Sequence, residues 1–459
     1  NSDSRGSEYM LTHAFRLALV AVGVAASEVR YGLVFDAGSS GSRIHVYSWR
    51  VGGGGPKDQF DLIKDDLKKI KPGLSAYKAD TSKAGASLRE LIDHAKAQVP
   101  ADLVPTTPVF LMATAGLRLV GETAKDEILK SVCEELSSSG FLFKCEWATL
   151  LDGQDEGLYG WVTVNYLLDR LYPPASNPPV GIIDLGGGSV QIVFATDTVD
   201  AAGGTKALDF GGRSHSAYIK SHLGYGLDEA RKQILELLVL RQGAGDRPIR
   251  NPCLPTGSTL KHKDVEMVGD GDFKRCSKLV QKLFPPTPCA HSSCSFGGVY
   301  QPPLPSSVYG FSYMYDRTAA IGLLDKVPAV FGEQSMSASD IEAAATEVCS
   351  LSAQQTADRF ANTQDAAKSS NYCGDVTYVS VLIGQLGFAP TTKLTMTNKI
   401  RDVELVWTLG AMLAKSADLA AGGGSWLSTK SVGMLVGVCA LALCCFRGSS
   451  GGRSLGKRT

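Results

Sequence analysis

The chain has 459 residues, 44% of them hydrophobic, which is enough for two or three domains with sizeable cores. Lysine plus arginine and aspartate plus glutamate both number 46, so the net charge is zero. That balance excludes the basic field a nucleic-acid binder needs, and no nucleic acid is expected among the partners.

In chain order, the first feature is a short apolar run. Counting from Met10, His13 and Arg16 give a weakly basic start, Leu17 to Ala26 an apolar stretch, and Val24-Ala25-Ala26 a small-residue cleavage site. Residues 10–27 therefore read as a secretory signal peptide or an uncleaved signal anchor, the run being short for a membrane span. Next, D-A-G-S-S-G-S-R at 36–43 lies between the apolar Leu33-Val34-Phe35 and the alternating Ile44-His45-Val46-Tyr47, which is a β-hairpin pattern. Helical spacing is expected over Lys64 to Lys71 and over Ser82 to Gln98, where Leu88, Leu91, Ile92 and Ala95 share a face. A short buried strand, Pro108 to Met112, runs into A-T-A-G-L-R at 113–118. Thr114 there is either a turn residue or a contact to a ligand at a strand end.

A helix is expected over Ala124 to Leu136 and a strand over Lys144 to Thr149. The stretch Asp152 to Gly157 opens an apolar helix reaching Leu171. Asp152 can cap it, and Asp155 and Glu156 fall in its first turn, where carboxylates favour the dipole. Glu156 can equally serve as a base at the mouth of a cleft. After Pro173 to Pro179 the first hairpin is echoed: D-L-G-G-G-S-V-Q at 184–191 follows Val180 to Ile183 and precedes Ile192-Val193-Phe194.

Glycine lets backbone approach a ligand, and serine hydroxyls with successive N–H groups can face anionic oxygens. One such loop is ordinary, but a matched pair suggests a polyphosphate held between them, with Asp36 and Asp184 beside a hydrated divalent cation. No G-x-x-x-x-G-K-[ST] occurs, and glycines 186–188 lead into a strand and not a helix, so neither a P-loop nor a dinucleotide fold is indicated.

Residues 200–400 carry helix patterns at Asp228 to Leu240 and Ser339 to Ser350. They also carry an aromatic cluster, Tyr309, Phe311, Tyr313 and Tyr315, that is either core or a platform for a base. Val403, Trp407, Gly410 and Leu413 suggest a helix from about Ile400. Eight cysteines from Cys133 to Cys373 form an even set in a secretory context, so disulfides are expected; sequence leaves the pairing open, and bridging neighbours closes the shortest loops. Cys289 and Cys294 lack a second ligand pair for a metal. Near the end, Val432 to Phe446 is uncharged and flanked by Lys430 and Arg447, which suggests a transmembrane helix over 431–446 and a basic cytosolic tail over 447–459.

Taken in order, D-A-G-S-S-G-S-R, A-T-A-G-L-R, D-E-G-L-Y-G-W at 155–161, D-L-G-G-G-S-V-Q and W-T-L-G-A-M-L at 407–413 resemble the five conserved regions of the apyrase (nucleoside triphosphate diphosphohydrolase) family, over residues 31–415. The resemblance implies an α/β fold of two related actin-like (ribonuclease H-like) domains with mixed sheets and the active site in the cleft. The domains would span 30–165 with 400–422, and 166–399. It implies Glu156 as general base, Ser189 and Gln191 positioning the water, and Thr114 beside the terminal phosphate. Gly38, Ser39, Ser40, Gly41, Ser42, Arg43, Gly186, Gly187 and Gly188 would line the phosphate. Asp36 and Asp184 would hold Ca²⁺ or Mg²⁺ through water, and Tyr313 or Tyr315 would meet the base. Substrates would be nucleoside di- and triphosphates, handled outside the cell or in the secretory lumen. A kinase, an exopolyphosphatase-like enzyme and a non-catalytic ectodomain are the rivals; the last would lack Glu156 or Gln191, and both are present.

Overall fold

The computed structural model describes residues 27–420, apart from 39, 56, 199–203, 211, 243–247, 327–328, 331–332 and 364. Segments 10–26, 431–446 and 447–459 lie outside the described residues; among those described, no helix is long and apolar enough to cross a membrane.

The first half begins with β1 (Glu28–Ala37), β2 (Ser42–Val51) and β3 (Asp61–Ile70), an antiparallel meander. Helix α1 (Arg89–Gln98), strand β4 (Val109–Ala113), the single turn α2 (Ala115–Arg118), helix α3 (Glu122–Ser137) and strand β5 (Ala148–Leu150) complete it. The sheet order is β3-β2-β1-β4-β5, with β1, β4 and β5 parallel. Leu33, Val34 and Phe35 are all buried because this strand is covered on both faces.

Helix α4 (Gly153–Leu167) leads into the second half, which opens with β6 (Gly181–Leu185), β7 (Ser189–Ala195), β8 (Thr205–Phe210), β9 (Arg213–Leu223) and α5 (Leu227–Gln242). A small three-stranded sheet follows, from β10 (Ile249–Asn251), β11 (Thr259–His262) and β12 (Val265–Gly269). Then come α6 (Phe273–Val280), β13 (Val308–Ser312), α7 (Tyr313–Ala320), β14 (Ala329–Val330), β15 (Glu333–Met336), α8 (Ala338–Cys349), α9 (Ala353–Arg359), α10 (Tyr372–Gln385) and β16 (Leu394–Met396). The ribbon β17 (Lys399–Ile400) and β18 (Val403–Glu404) leads to α11 (Thr408–Ala420). The second sheet reads β14-β15-β16-β13-β6-β7-β9-β8. Its inner five strands, β9-β7-β6-β13-β16, repeat the order and the parallel and antiparallel pattern of the first sheet. The chain is thus a duplicated mixed α/β fold.

The halves are joined by an exchange of helices. Helix α4 lies in the sequence of the first half yet packs on the second sheet, with Gly157 against Gln191 and Val193 and Gly160 against Ile182 and Phe311. Helix α11 ends the sequence of the second half yet packs on the first sheet, with Met412 against Gly32, and Thr408 Oγ1 is 2.8 Å from Tyr47 Oη. The two helices cross where Gly410 donates its N–H to Thr163 Oγ1 at 2.9 Å. One apolar core containing Val34, Phe110, Trp161, Ile182, Phe311 and Met412 therefore runs through both sheets.

Three local expectations are corrected. The helix expected over Lys64 to Lys71 is the edge strand β3: Ile63, Leu67 and Ile70 keep a helical spacing, but lysines are common on sheet edges and pairing with β2 decides. The helix expected from Ile400 starts at Thr408, because Arg401 and Asp402 take positive φ (52° and 63°) in the ribbon turn before it. The strand expected from Lys144 shrinks to Ala148–Leu150, since Cys145 is in a 3₁₀ turn bonded to Cys133. The four disulfides join Cys133–Cys145, Cys253–Cys276, Cys289–Cys294 and Cys349–Cys373, the neighbour pairing.

A Cβ on Gly410 would lie 2.1 Å from the carbonyl oxygen of Tyr159, which is backbone and cannot turn aside. Gly410→Ala should therefore cost about 1–3 kcal/mol by forcing the helices apart. Urea unfolding checks this, and an unchanged midpoint would show that the crossing is looser than described.

Candidate active site

Each half brings an aspartate to the same place. Asp36 and Asp184 are the penultimate residues of β1 and β6, paired in register with Arg43 and Gln191. The turns have equal length and the same closing bond: Gly38 N–H to Gly41 O and Gly186 N–H to Ser189 O, both 3.0 Å. Glycine is required at 41, where a Cβ would be 2.7 Å from Ile70 O. Ser40 is exposed, Ser42 is buried, and Ser39 lies outside the described residues.

The second loop has a defined polarity. The carbonyls of Gly186, Gly187 and Gly188 accept N–H groups of Leu227, Asp228, Glu229 and Gly224, at the start of α5 and just before it. A trans peptide points its N–H opposite to its C=O, so the N–H groups of Gly187 and Gly188 face away from α5. From the first half, Ala115 abuts Gly188, where a Cβ would stand 2.6 Å from that of the alanine. Thr114 precedes Ala115, is buried, and donates its N–H to Ala37 O at 3.2 Å, which ties it to the first loop.

Asp152 caps α4 by accepting from Gln154 N–H, and Glu156 follows one turn later, buried at 8% exposure. Its Oε2 accepts from Arg118 Nη2 at 2.6 Å and contacts Gln191 Nε2 at 3.4 Å. Gln191 Nε2 also donates to Ser189 Oγ at 2.9 Å and Ser221 Oγ at 3.0 Å. The structure thus brings together Glu156, Ser189 and Gln191. Arg118 is visible in the sequence within A-T-A-G-L-R but carries no role there, and Ser221 belongs to no motif at all; only strand pairing reveals it.

Burial is the main force on the acids. It pushes Glu156 up to about 8, against the pull of the Arg118 guanidinium and with help from Asp184 and Asp36. Asp184 is pushed up to about 6 by burial, opposed by a hydrogen bond from Ser312 and aided by Asp36. Asp36 is raised by burial although Arg43 Nη1 donates to its Oδ2 at 3.1 Å. Asp36 Oδ1 is buried with no hydrogen-bond partner, an acceptor suited to a water on a hydrated cation. Among the described residues no group of three or more acidic, histidine or cysteine side chains could hold a metal directly. The donor set therefore fits a cation kept at one remove by water.

The two tyrosines are set apart from this cluster. Tyr313 opens α7 with its ring 4.9 Å from the Arg317 guanidinium and 5.7 Å from that of Arg231, and its hydroxyl donates to Asp228 Oδ2 at 3.4 Å. Tyr315 is partly buried against the same core. Tyr309 and Phe311 of the aromatic cluster are core residues of β13.

Duplicated halves that bring two matched loops and three buried acids together are what a phosphate-cleaving enzyme requires. Residues 23–429 match the model of the GDA1/CD39 (nucleoside phosphatase) family, and the chain belongs to that family. It is 34% identical over 398 residues to mouse ectonucleoside triphosphate diphosphohydrolase 6, covering 84% of this chain and 81% of that one. It is 35% identical to the guanosine-diphosphatase of Schizosaccharomyces pombe (84% and 73% covered) and 33% identical to apyrase 1 of Arabidopsis thaliana (83% and 84%). A crystal structure of nucleoside triphosphate hydrolases from Neospora caninum shares the fold, with TM-score 0.66 at 16% identity over 86% of this chain and 94% of that one.

Because the folded state raises the Glu156 carboxyl, it binds that proton more tightly than the unfolded chain does. The stability due to this neutral acid is complete below the ordinary carboxylate range and is lost as pH rises toward about 8. The unfolding free energy of Glu156→Gln should therefore gain on wild type between those limits. Parallel denaturation curves across that window, with no change in the difference, would contradict the burial described.

Proposed function

We propose that this nucleoside phosphatase is an apyrase, removing the terminal phosphate of nucleoside tri- and diphosphates to end at the monophosphate and inorganic phosphate. The observation that carries this reading is the contact of Glu156 with Gln191, whose amide nitrogen also donates to Ser189 beside the second loop. Both polar contacts to Glu156, from Arg118 and Gln191, fall on Oε2, so Oε1 is the oxygen left to take a proton from water. Ser189 and Gln191 align that water for in-line attack on the terminal phosphorus. The N–H groups of Gly187 and Gly188, with Arg43, Ser40, Ser42 and Thr114, stabilise the charge on the phosphate oxygens. A Ca²⁺ or Mg²⁺ ion held through water by Asp36 and Asp184 would neutralise further charge on those oxygens. The base is assigned to the Tyr313 and Tyr315 side of the second half.

The domains are proposed as 30–165 with 400–422, and 166–399. Four disulfides support a secretory or extracellular location, with 431–446 as the membrane anchor. A narrower diphosphatase reading is favoured by the 35% identity to a guanosine-diphosphatase. Phosphate release from a panel of nucleoside di- and triphosphates separates the two.

Glu156→Gln keeps shape and hydrogen bonding but cannot accept the proton, so kcat should fall by about 10²–10⁴ with nucleotide KM little changed. Wild-type kcat in this variant would remove the base from the scheme. Chelation should abolish activity and excess Ca²⁺ or Mg²⁺ restore it; full turnover in chelator would refute the water-held cation.

A further inference from the structure

The duplication lets the two halves be compared position by position around their aspartates. In the first sheet, Asp36 on β1, Arg43 on β2 and Lys69 on β3 are in register and share one face. In the second, the same row on β6, β7 and β9 is Asp184, Gln191 and Ser221. The first row is ionic throughout, Arg43 bonding Asp36 at 3.1 Å and Lys69 bonding Glu404 at 2.7 Å. Beyond its aspartate the second row is neutral, and its outer member is a single hydroxyl.

That hydroxyl has a definite task. An amide nitrogen carries two hydrogens, and Gln191 Nε2 has two short partners, Ser189 Oγ at 2.9 Å and Ser221 Oγ at 3.0 Å. Glu156 Oε2 lies 3.4 Å from the same nitrogen and already accepts from Arg118, and an acceptor oxygen there repels an amide oxygen, so the NH₂ must be the end that faces the cluster. The amide oxygen is thereby turned away from Glu156 Oε2, free to accept from a water. With Ser189 alone as partner the amide could rotate about its last bond; Ser221 supplies the second fixed point.

The surrounding backbone is shaped around Ser221. Gly153 is the first residue of α4, three before Glu156, and a Cβ there would stand 2.3 Å from Ser221 Oγ and 2.8 Å from Ser221 Cβ. Only glycine lets the helix that carries Glu156 settle onto this strand. The base and the amide beside it are thus registered against the same serine.

We propose that Ser221 is a positioning residue for hydrolysis: its hydroxyl locks the Gln191 side chain so that the amide oxygen faces the attacking water. This rests on the reading of Gln191 as a water-aligning residue. Ser221 lies on β9, outside both phosphate loops, and would act through Gln191, so its loss should be felt in turnover and not in nucleotide binding.

A double-mutant cycle on the full chain, with ATP and Mg²⁺ or Ca²⁺, tests it. Ser221→Ala should lower kcat by about 3- to 10-fold, the scale of one hydrogen bond, with KM unchanged and Tm lowered by no more than a few degrees. Gln191→Ala should lower kcat further, and adding Ser221→Ala to it should change nothing more, since the residue acted upon is gone. If Gln191→Ala alone leaves kcat at the wild-type value, the reading of Gln191 fails and the role of Ser221 falls with it. If Gln191→Ala is impaired but Ser221→Ala is not, the inference is overturned while the reading of Gln191 stands. It is equally overturned if Ser221→Ala costs the same factor in both backgrounds, or raises KM alone. Should Ser221→Ala fail to fold, Ser221→Cys, close in shape with a weaker acceptor, runs the same cycle.

Discussion

Burial of like charges governs this molecule. Asp36, Asp184 and Glu156 are each under 10% exposed; Asp36 and Asp184 make Glu156 harder to ionise, and Asp36 does the same to Asp184. Uncompensated buried charge costs several kcal/mol, and the protein answers it only in part, with Arg43 on one side and Arg118 on the other. A site so built is short of positive charge, which the proposed hydrated divalent cation would supply. The crossing of α4 and α11 holds the acids together: each helix packs on the other half's sheet, so the two aspartate strand ends belong to one continuous core. Closing the site and joining the halves are the same structural act.

Duplication explains the geometry, and divergence between the copies explains the chemistry. Both hairpins close through equivalent N–H to O bonds of 3.0 Å, and both aspartates occupy the same register. Yet the partner of Asp36 is a cation and the partner of Asp184 is an amide. A guanidinium suits phosphate oxygens, whereas a neutral amide can orient a water without altering its charge. The first half is thus suited to holding the anion and the second to presenting the nucleophile. The fold alone does not tell these roles apart.

Legibility in the sequence follows the range of the interactions. The hairpins and the cap and first turn of α4 depend on residues close in the chain and are readable; the cysteines read as disulfides, but which pair with which is decided only by the folded structure. Lys64 to Lys71 misleads because Ile63, Leu67 and Ile70 carry a helical period on an edge strand, and only pairing with β2 overrides it. The stretch near Ile400 misleads because Arg401 and Asp402 make a turn without glycine. Ser221 is out of reach, since it meets Gln191 only across paired strands, 30 positions apart. The setting of Tyr313, among Arg231, Arg317 and Asp228, likewise depends on α5 and α7 meeting.

The central claim is that water, held beside Glu156 and Gln191, attacks the terminal phosphorus. Single-turnover hydrolysis of a nucleoside triphosphate in H₂¹⁸O, followed by mass spectrometry of both products, tests it most directly. The account predicts one ¹⁸O atom in the inorganic phosphate and none in the nucleotide. Label in the nucleotide, or unlabelled phosphate passed to an acceptor, would contradict it.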